Sequence, residues 1–248
     1  MNLAIIQARL GSTRLPNKVL LTLAGKTVLE HVVNRARASK FIDEVIIATT
    51  ISKNDLEIVS FCSKNKIRVF VGSEDDVLDR YYQTARLLQP DNVVRITSDC
   101  PMIDPEIIDQ IGKKHLEEHA DYSSNTLHET YPDGLDAEVI SFQALKTAWE
   151  QAILPSDREH VTPFIKKQPE SFKLLSIKND NDLSYMRWTI DQPEDFTFLN
   201  EIFNRLYFIN NDFRTKDVLK EIAKDPDLLK INKGIIRNEG YLKSLLSD

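Results

Sequence analysis

The chain has 248 residues, of which 42% are hydrophobic and 28% are charged, as in ordinary soluble globular proteins of one large domain or two small ones. Its formal net charge of -6 argues against a general nucleic-acid coat and against a polybasic membrane binder. Two cysteines are too few for a disulfide framework, no apolar run approaches the length of a membrane span, and the short apolar start does not resemble a signal peptide. We therefore expect a cytoplasmic protein that binds neither nucleic acid nor membrane.

Short apolar runs alternate with helical patterns over the first hundred residues. The predicted strands span residues 3–8, 44–50, 68–71 and 92–97. Helical spacing predicts helices between them that begin near Val28, Asp55 and Val77. Near-continuous apolar strands that alternate with helices are typical of a sheet covered on both faces. The sequence therefore predicts an α/β fold with a mainly parallel twisted sheet and helices on both faces.

This alternation ends after residue 121. Residues 122–139 are expected to be extended and polar, with a turn at Pro132-Asp133-Gly134. Helices are predicted at 142–151 and from 155 towards 166, and late strands at 172–177 and 185–190. An amphipathic helix follows through Phe196, Leu199, Phe203 and Leu206, and short helical pieces continue from residue 211.

The loop after the first predicted strand is cationic and contains small residues. Its informative residues are Arg9, Gly11, Ser12, Arg14 and Lys18, and the first 18 residues contain no acidic side chain. Backbone N–H groups beside Gly and Ser can approach phosphate oxygens, and Arg and Lys neutralise their charge. The loop therefore fits a polyanion site, and it fits a solvated turn between strand and helix as well.

Three aspartates follow or precede predicted elements at informative positions. Asp99 directly follows a buried strand, where its carboxylate can face a ligand crevice and bind a hard cation such as Mg²⁺. Asp104 stands before Pro105 and is predicted to cap a helix. Asp191 ends a predicted strand, so it could share a metal with Asp99 or cap the helix that begins near Pro193.

Two motif fragments have simpler explanations than the chemistry they suggest. Gly25-Lys26-Thr27 ends like a Walker A motif, but Leu20 stands where the first glycine is needed, which favours a turn that opens a helix. His115 and His119 have the spacing of an H-x-x-E-H zinc motif. Because charged residues surround them, we expect a solvated helix end there.

Four polar residues in the middle of the chain are candidates for contacts with a polar substrate. Asp133, Asp136 and Glu138 place three carboxylates in a short segment, and carboxylates accept hydrogen bonds from sugar hydroxyls. The same segment also fits an exposed hairpin. His160, at a transition into a helix, could contact sugar or phosphate or be structural.

Three ordered motifs carry a resemblance to a known family. They are residues 4–18, Ser98-Asp99-Cys100-Pro101 and Ile190-Asp191-Gln192-Pro193-Glu194-Asp195. Together they resemble the cytidylyltransferases that activate acidic sugars, which include the CMP-sialic acid and CMP-Kdo synthetases. Further segments resemble the branch named after spore coat polysaccharide protein SpsF, namely residues 132–138, residues 158–162 and Arg237-Asn238-Glu239-Gly240-Tyr241.

The resemblance implies a nucleotide-diphospho-sugar-transferase-like fold and assigns roles to particular residues. Residues 1–210 would form the nucleotidyltransferase domain, with a substrate or dimerisation subregion near 122–180 and a helical extension over 211–248. The nucleotide-binding residues it implies are Ala8, Arg9, Gly11, Ser12, Arg14, Lys18 and, near the base, Arg80. Asp99 and Asp191 would hold Mg²⁺, and the protein is expected to be a homodimer.

The reaction that follows is the transfer of CMP from CTP to a sugar, with release of pyrophosphate. Arg9, Arg14 and Lys18 would stabilise the leaving pyrophosphate, and Mg²⁺ on the two aspartates would polarise the α-phosphate. Val19 follows Lys18 where the sialate enzymes typically have asparagine, which leaves the acceptor sugar open. The alternatives are a nucleotidyltransferase that uses another NTP, a glycosyltransferase of similar fold, and a nucleotide-binding partner without catalysis.

Overall fold

The computed structural model describes residues 1–237, 239–245 and 248. The strands within this part are β1 (Asn2–Gln7), β2 (Thr22–Leu23), β3 (Lys26–Thr27), β4 (Glu44–Thr50), β5 (Arg68–Gly72), β6 (Asn92–Thr97), β7 (Tyr122–Ser124), β8 (Glu138–Ser141) and β9 (Leu174–Ser176). The α-helices are α1 (Val28–Ala38), α2 (Leu56–Lys64), α3 (Val77–Arg86), α4 (Pro105–Glu117), α5 (Phe142–Gln151), α6 (Pro155–His160), α7 (Pro163–Lys166), α8 (Pro193–Leu206), α9 (Thr215–Lys224) and α10 (Glu239–Ser244).

The strands form a seven-stranded sheet in the order β5-β4-β1-β6-β8-β7-β9, and β2 and β3 form a separate hairpin. The strands β5, β4, β1 and β6 pair in parallel, whereas β8 runs antiparallel to both of its neighbours. The predicted α/β fold with a mainly parallel sheet is confirmed.

Two apolar clusters cover the two faces of this sheet. In β1, Leu3 and Ile5 belong to one cluster while Ala4 and Ile6 belong to the other, because successive side chains of a strand point to opposite faces. Helices α1, α4 and α8 complete one cluster, and α3 and α5 complete the other. Burial of each large apolar side chain contributes about 1.5–3 kcal/mol, so apolar packing holds both helical layers on the sheet.

Two predicted elements differ from the structure. The strand predicted at 185–190 is wrong: Arg187 makes one isolated bridge with Asp133, and the N–H groups of Trp188 and Ile190 bond the carbonyls of Asp133 and Asp99. The helix predicted from 155 to 166 is interrupted at Val161, whose φ of 72° cannot continue an α-helix. Residues 122–139, which were predicted to be extended, contain β7 and the start of β8, and β8 lies between β6 and β7 in the sheet.

Several helices begin at capping side chains. Asp104 accepts the backbone N–H of Glu106, so its predicted role as a helix cap is confirmed. The Walker-like fragment is also a helix entry, since Gly25 has a φ of 85° in the β2–β3 turn and the Thr27 hydroxyl accepts the N–H of Glu30. Both features are structural, as the sequence indicated.

The C-terminal residues pack against the rest of the chain. Phe213, Val218 and Leu228 are buried in the same apolar cluster as α1 and α8. The Thr215 hydroxyl donates to the capping carboxylate of Asp104. The division proposed at residue 210 stays a prediction. Asn238, from the terminal motif, lies outside the described residues. No helix in the described part of the chain is long and apolar enough to cross a membrane.

His115 is a buried residue, which corrects the expectation of a solvated helix end. Its side chain is 2% exposed and bonds the Ser123 hydroxyl at 2.9 Å and the Asn92 side-chain oxygen at 3.1 Å. Among the described residues there is no group of three or more His, Cys, Asp or Glu side chains that could hold a metal ion. His115 therefore belongs to the hydrogen-bonded core that joins α4 to the sheet.

Burial of His115 makes the fold sensitive to acid. Desolvation lowers the pKa of His115 from 6.5 to about 4. Below pH 6.5 the unfolded chain binds a proton at this site that the folded chain does not, so stability is full above pH 6.5 and falls towards pH 4. We expect His115 to account for a loss of up to about 3 kcal/mol over that interval.

Urea unfolding at pH 7.5, 6.0, 5.0 and 4.0 measures this loss. The variant His115→Gln should show a flatter dependence of unfolding free energy on pH than the native protein. His128→Gln, at an exposed position, is the matched control and should reproduce the native curve. Equal pH dependence in all three proteins would assign the acid sensitivity to other groups.

Candidate active site

The cationic loop and Asp99 lie at the same edge of the sheet. Gln7 at the end of β1 is in register with Thr97 at the end of the parallel strand β6. Residues that follow these two strands therefore meet beyond their carboxyl ends, where α/β proteins bind ligands.

The loop lines a cavity of about 550 Å³. Its lining contains all five loop residues singled out in the sequence, together with Asp191: Arg9, Gly11, Ser12, Arg14, Lys18 and Asp191. Ala8 is buried at the base of the loop, where its N–H bonds the carbonyl of Ala48 in β4. We call this space the loop cavity.

Asp55 anchors the loop, and the sequence analysis missed that role. Its carboxylate accepts the N–H of Leu10 at 2.7 Å and the hydroxyl of Thr50, and the residue is 2% exposed. A buried carboxylate is stable only when it is hydrogen-bonded, and these two donors satisfy it. Asp55 appeared in the sequence as a helix start, a position at which Asp is common for local reasons.

Lys18 joins the two predicted metal ligands. Its ammonium nitrogen lies 2.8 Å from a carboxylate oxygen of Asp99 and 2.6 Å from one of Asp191. Burial disfavours the charged form of Lys18, but the two carboxylates raise its pKa above the ordinary value. Burial likewise opposes ionisation of Asp99, and the nearby ammonium lowers the pKa of Asp99 to about 2. Lys18 and Asp99 are therefore both charged at neutral pH.

Asp191 is not a helix cap, so the capping interpretation of this residue is wrong. The carboxylate of Asp195 accepts the N–H groups of both Asp191 and Gln192 at the start of α8. The Asp191 side chain is thereby left to interact with Lys18, Arg14 at 3.4 Å and Arg187 at 3.1 Å. Its position agrees with the predicted site role, which stays a prediction.

A second cavity, of about 380 Å³, adjoins the first and shares Arg14, Asp191 and Gly240 with it. All four predicted substrate contacts line it: Asp133, Asp136, Glu138 and His160. Asp99 also lines this space, so the Lys18–aspartate cluster lies where the two cavities meet. We call the second space the polar cavity.

Two arginines hold the acidic wall of the polar cavity. Arg187 bonds Asp133 at 2.6 Å and Asp195 at 2.9 Å, and Arg237 bonds Asp136 at 2.8 Å. Burial and the neighbouring Asp136 raise the pKa of Asp133 to about 7, although both arginines act in the opposite direction. Arg187 was not singled out in the sequence and Arg237 appeared only as part of the terminal motif, because nothing local distinguishes either one from a surface cation.

Gly134 allows this wall to form. Its φ of 105° is unfavourable for other residues, and an added Cβ would lie 2.5 Å from the backbone nitrogen of Thr189. The predicted turn at residues 132–134 therefore brings its backbone against the segment that carries Asp191.

We expect Gly134→Ala to destabilise the fold by roughly 2–4 kcal/mol, through backbone strain together with the steric overlap. Urea unfolding measures this, with Gly25→Ala as the control, because Gly25 also has a positive φ but no atom within 4 Å of an added Cβ. Equal losses in the two variants would show that the close approach to Thr189 is unimportant.

Glu138 stabilises the opposite, basic wall of the polar cavity. Its carboxylate pairs with Arg95, lies 3.7 Å from the Lys166 ammonium and accepts the hydroxyls of Tyr122 and Thr162. Burial opposes its ionisation, but Arg95 and the other donors lower the pKa of Glu138 to about 2. Arg95 and Lys166 thus face the cavity with one carboxylate between them, and neither was identified from the sequence.

Arg80, the residue that the resemblance places near the base, is buried beneath residues 72–73. It is 2% exposed, and its guanidinium donates to the carbonyl of Ser73. Gly72 is in contact with its side chain, since an added Cβ there would lie 3.3 Å from Arg80 Cγ. Arg80 therefore supports the backbone of residues 72–73, and its predicted contact with the base stays a prediction.

The donor set at the junction of the cavities fits a hard divalent cation. Two carboxylates, of Asp99 and Asp191, already converge on the single positive charge of Lys18. Mg²⁺ in proteins is commonly held by one or two carboxylates, with water and substrate phosphate oxygens in its remaining positions. The residues present therefore fit a nucleotide-bound Mg²⁺.

Fold and site together define an α/β protein whose candidate site lies beyond the carboxyl ends of its central parallel strands, where such proteins bind ligands. Residues 3–223 match the family model described as cytidylyltransferase. The chain belongs to the cytidylyltransferase family, and it is an enzyme of that class.

Individual relatives agree with this assignment. The spore coat polysaccharide biosynthesis protein SpsF of Bacillus subtilis is 34% identical over 232 residues, which cover 91% of this chain and 95% of the relative. A solved cytidylyltransferase structure from Leptospira borgpetersenii superposes with a TM-score of 0.88 at 33% identity, over 95% of this chain and 99% of that one. The 3-deoxy-manno-octulosonate cytidylyltransferase of Polynucleobacter asymbioticus is 38% identical over 130 residues, about half of each chain.

Proposed function

We propose that this enzyme transfers CMP from CTP to an acidic sugar of the nonulosonate or Kdo type, with release of pyrophosphate, for surface polysaccharide biosynthesis. The observation that carries the proposal is the Lys18 ammonium held between Asp99 and Asp191 at the junction of the two cavities. A triphosphate in the loop cavity and a sugar in the polar cavity would meet at this cluster. The names of the spore coat and octulosonate relatives support the substrate class.

The loop cavity supplies the positive charge that a triphosphate needs. Arg9, Arg14 and Lys18 bind phosphate oxygens, and the hydroxyl of Ser12 and the backbone beside Gly11 can donate hydrogen bonds. A sugar hydroxyl oxygen attacks the α-phosphorus and loses its proton to solvent, and the bond from that phosphorus to the bridging oxygen of the β-phosphate breaks. Pyrophosphate leaves with the bonding electrons, and the three cations stabilise its charge.

Asp99 and Asp191 are the residues that would hold Mg²⁺. When bound there, the ion supplies positive charge at the α-phosphate and orients the nucleophilic hydroxyl. The Arg187 guanidinium lies 3.1 Å from the Asp191 carboxylate and holds it in place. Arg187 is in turn paired with Asp195. The protein contributes position and charge in this reaction rather than a covalent intermediate.

The two walls of the polar cavity match different parts of an acidic sugar. Arg95 and Lys166 carry two positive charges, and the Glu138 carboxylate between them balances one. One positive charge is therefore left to pair with the carboxylate of a substrate. Asp133 and Asp136 present acceptor oxygens to sugar hydroxyls on the other side. His160 lies in the same lining and can contact the ligand. The homodimer implied by the family resemblance remains part of this proposal.

The test is pyrophosphate release by the purified protein with Mg²⁺, each of the four NTPs and a panel of acidic and neutral sugars. We expect release to be fastest with CTP and an acidic sugar. A preference for UTP or GTP, or equal use of all four, would overturn the base assignment. Transfer from a ready-made nucleotide-sugar without use of free NTP would indicate a glycosyltransferase. Tight CTP binding without turnover on any sugar would indicate a non-catalytic partner.

A further inference from the structure

Arg237 and residues 239–245, which we call the C-terminal segment, contribute residues to the lining of both cavities. Glu239, Gly240 and Tyr241 line the polar cavity, and Gly240 and Ser244 line the loop cavity. The segment contains the short helix α10 and lies more than 200 residues along the chain from the loop that it contacts. Its position gives it access to both ligands of the proposed reaction.

On the side of the loop cavity, the segment forms an ion pair with Arg14, which is a predicted phosphate ligand. A carboxylate oxygen of Glu239 lies 2.5 Å from the guanidinium of Arg14, which is also 3.4 Å from Asp191. The side chains of Arg14 and Glu239 are each 36% exposed, so both can exchange partners. Carboxylate and phosphate oxygens bind guanidinium groups through the same hydrogen-bond geometry. Glu239 therefore binds the Arg14 guanidinium at the position where a phosphate oxygen of the nucleotide is expected.

On the side of the polar cavity, the same segment holds two predicted substrate contacts. Arg237 bonds the carboxylate of Asp136, and the Ser244 hydroxyl lies 2.6 Å from the imidazole of His160. The ring of Tyr241 packs edge-on against His160 with the ring centroids 5.1 Å apart. Glu239 is thus two residues from Arg237, which contacts Asp136, and two residues from Tyr241, which contacts His160.

We propose that the C-terminal segment is part of the active site and that Glu239 is a positioning residue which holds Arg14 until a triphosphate replaces it. The inference rests on the proposed function in taking Arg14 as a phosphate ligand. Exchange of Glu239 for phosphate removes the contact between Glu239 and Arg14, in a segment that also contacts Asp136 and His160.

The experiment titrates the native protein, Glu239→Gln and Asp227→Asn with inorganic pyrophosphate and with CTP, in the presence of Mg²⁺, by calorimetry. Glutamine keeps the size of the side chain but removes the charge that competes for Arg14. We expect Glu239→Gln to bind pyrophosphate about three- to ten-fold more tightly, since an exposed ion pair is worth on the order of 1 kcal/mol. Asp227→Asn removes an exposed charge that pairs with Lys230 and should bind as the native protein does.

Each outcome decides the proposal. Unchanged or weaker pyrophosphate binding by Glu239→Gln would overturn it, as would an equal gain in both variants, which would report net charge alone. Failure of the native protein to bind pyrophosphate would also overturn it. If pyrophosphate shows the expected gain but CTP binds no better than other NTPs, the cytidylyl assignment fails while the role of Glu239 stands. If CTP is preferred but Glu239→Gln binds pyrophosphate as the native protein does, the role of Glu239 fails while the cytidylyl assignment stands.

Discussion

Asp99→Asn and Asp191→Asn should each lower turnover by about 10²–10³-fold while the protein stays folded. Asparagine keeps the size of each side chain but removes the negative charge at the junction of the cavities. The fold should tolerate either change, because the Lys18 ammonium is paired with both carboxylates. When one carboxylate becomes an amide, Lys18 remains paired with the other. Steady-state kinetics at saturating CTP, together with thermal unfolding, measures the two effects.

Asp104→Ala provides the contrasting control. Asp104 caps α4 and accepts the Thr215 hydroxyl, so its loss should cost about 1–2 kcal/mol of stability and little turnover. If Asp191→Asn instead retains near-native turnover and lowers the melting temperature, the shared-cation mechanism is wrong.

Lys18→Met should both abolish most turnover and make the fold responsive to Mg²⁺ without nucleotide. The variant leaves Asp99 and Asp191 facing each other without the ammonium that now separates them. We expect a melting temperature roughly 4–8 °C lower, since an uncompensated, partly buried charge costs about 2 kcal/mol in a chain of this size. Millimolar Mg²⁺ should restore most of the loss, and turnover should stay about 10²–10³-fold below that of the native enzyme.

Lys26→Met is the matched control, because its ammonium pairs with Glu30 at the surface. Neither its turnover nor its melting temperature should depend on the substitution or on Mg²⁺. A Lys18→Met variant that melts at the native temperature, with and without Mg²⁺, would show that the two carboxylates do not form a cation site.

The sequence specified the parts of this fold whose signal is local. Strands β4 and β6 were predicted with their observed bounds because each is a short run rich in β-branched residues. The segment at 185–190 has equally strand-like side chains, but its N–H groups bond carbonyls of Asp133 and Asp99 rather than a neighbouring strand. Such a difference lies in the tertiary partner and has no counterpart in the local pattern.

The burial of His115 had a sequence signal, its helical spacing, but the charged residues beside it were given more weight. His115 lies four residues after Ile111 and seven after Ile108, on the buried face of α4, although the residues beside it in the chain are charged. Helical spacing, applied ahead of local charge, identifies it as a core residue.

The residues of the candidate site likewise divide into those with a local sequence signal and those without one. The loop and Asp99 are recognisable because they follow strands directly, whereas Asp55, Arg95 and Arg187 act through ion pairs and hydrogen bonds to distant residues. Buried charges of this kind are stable only with their partners in place, so the sequence alone could not separate them from surface charges.

The most direct test of CMP transfer is mass spectrometry of the products formed from CTP, Mg²⁺ and a 3-deoxy-2-keto sugar acid. We expect a CMP-sugar and pyrophosphate in equal amounts with the native enzyme, and neither product above background with Asp99→Asn. Intact CTP with every acidic sugar offered, or a nucleotide-sugar formed faster from UTP or GTP, would contradict the proposed function.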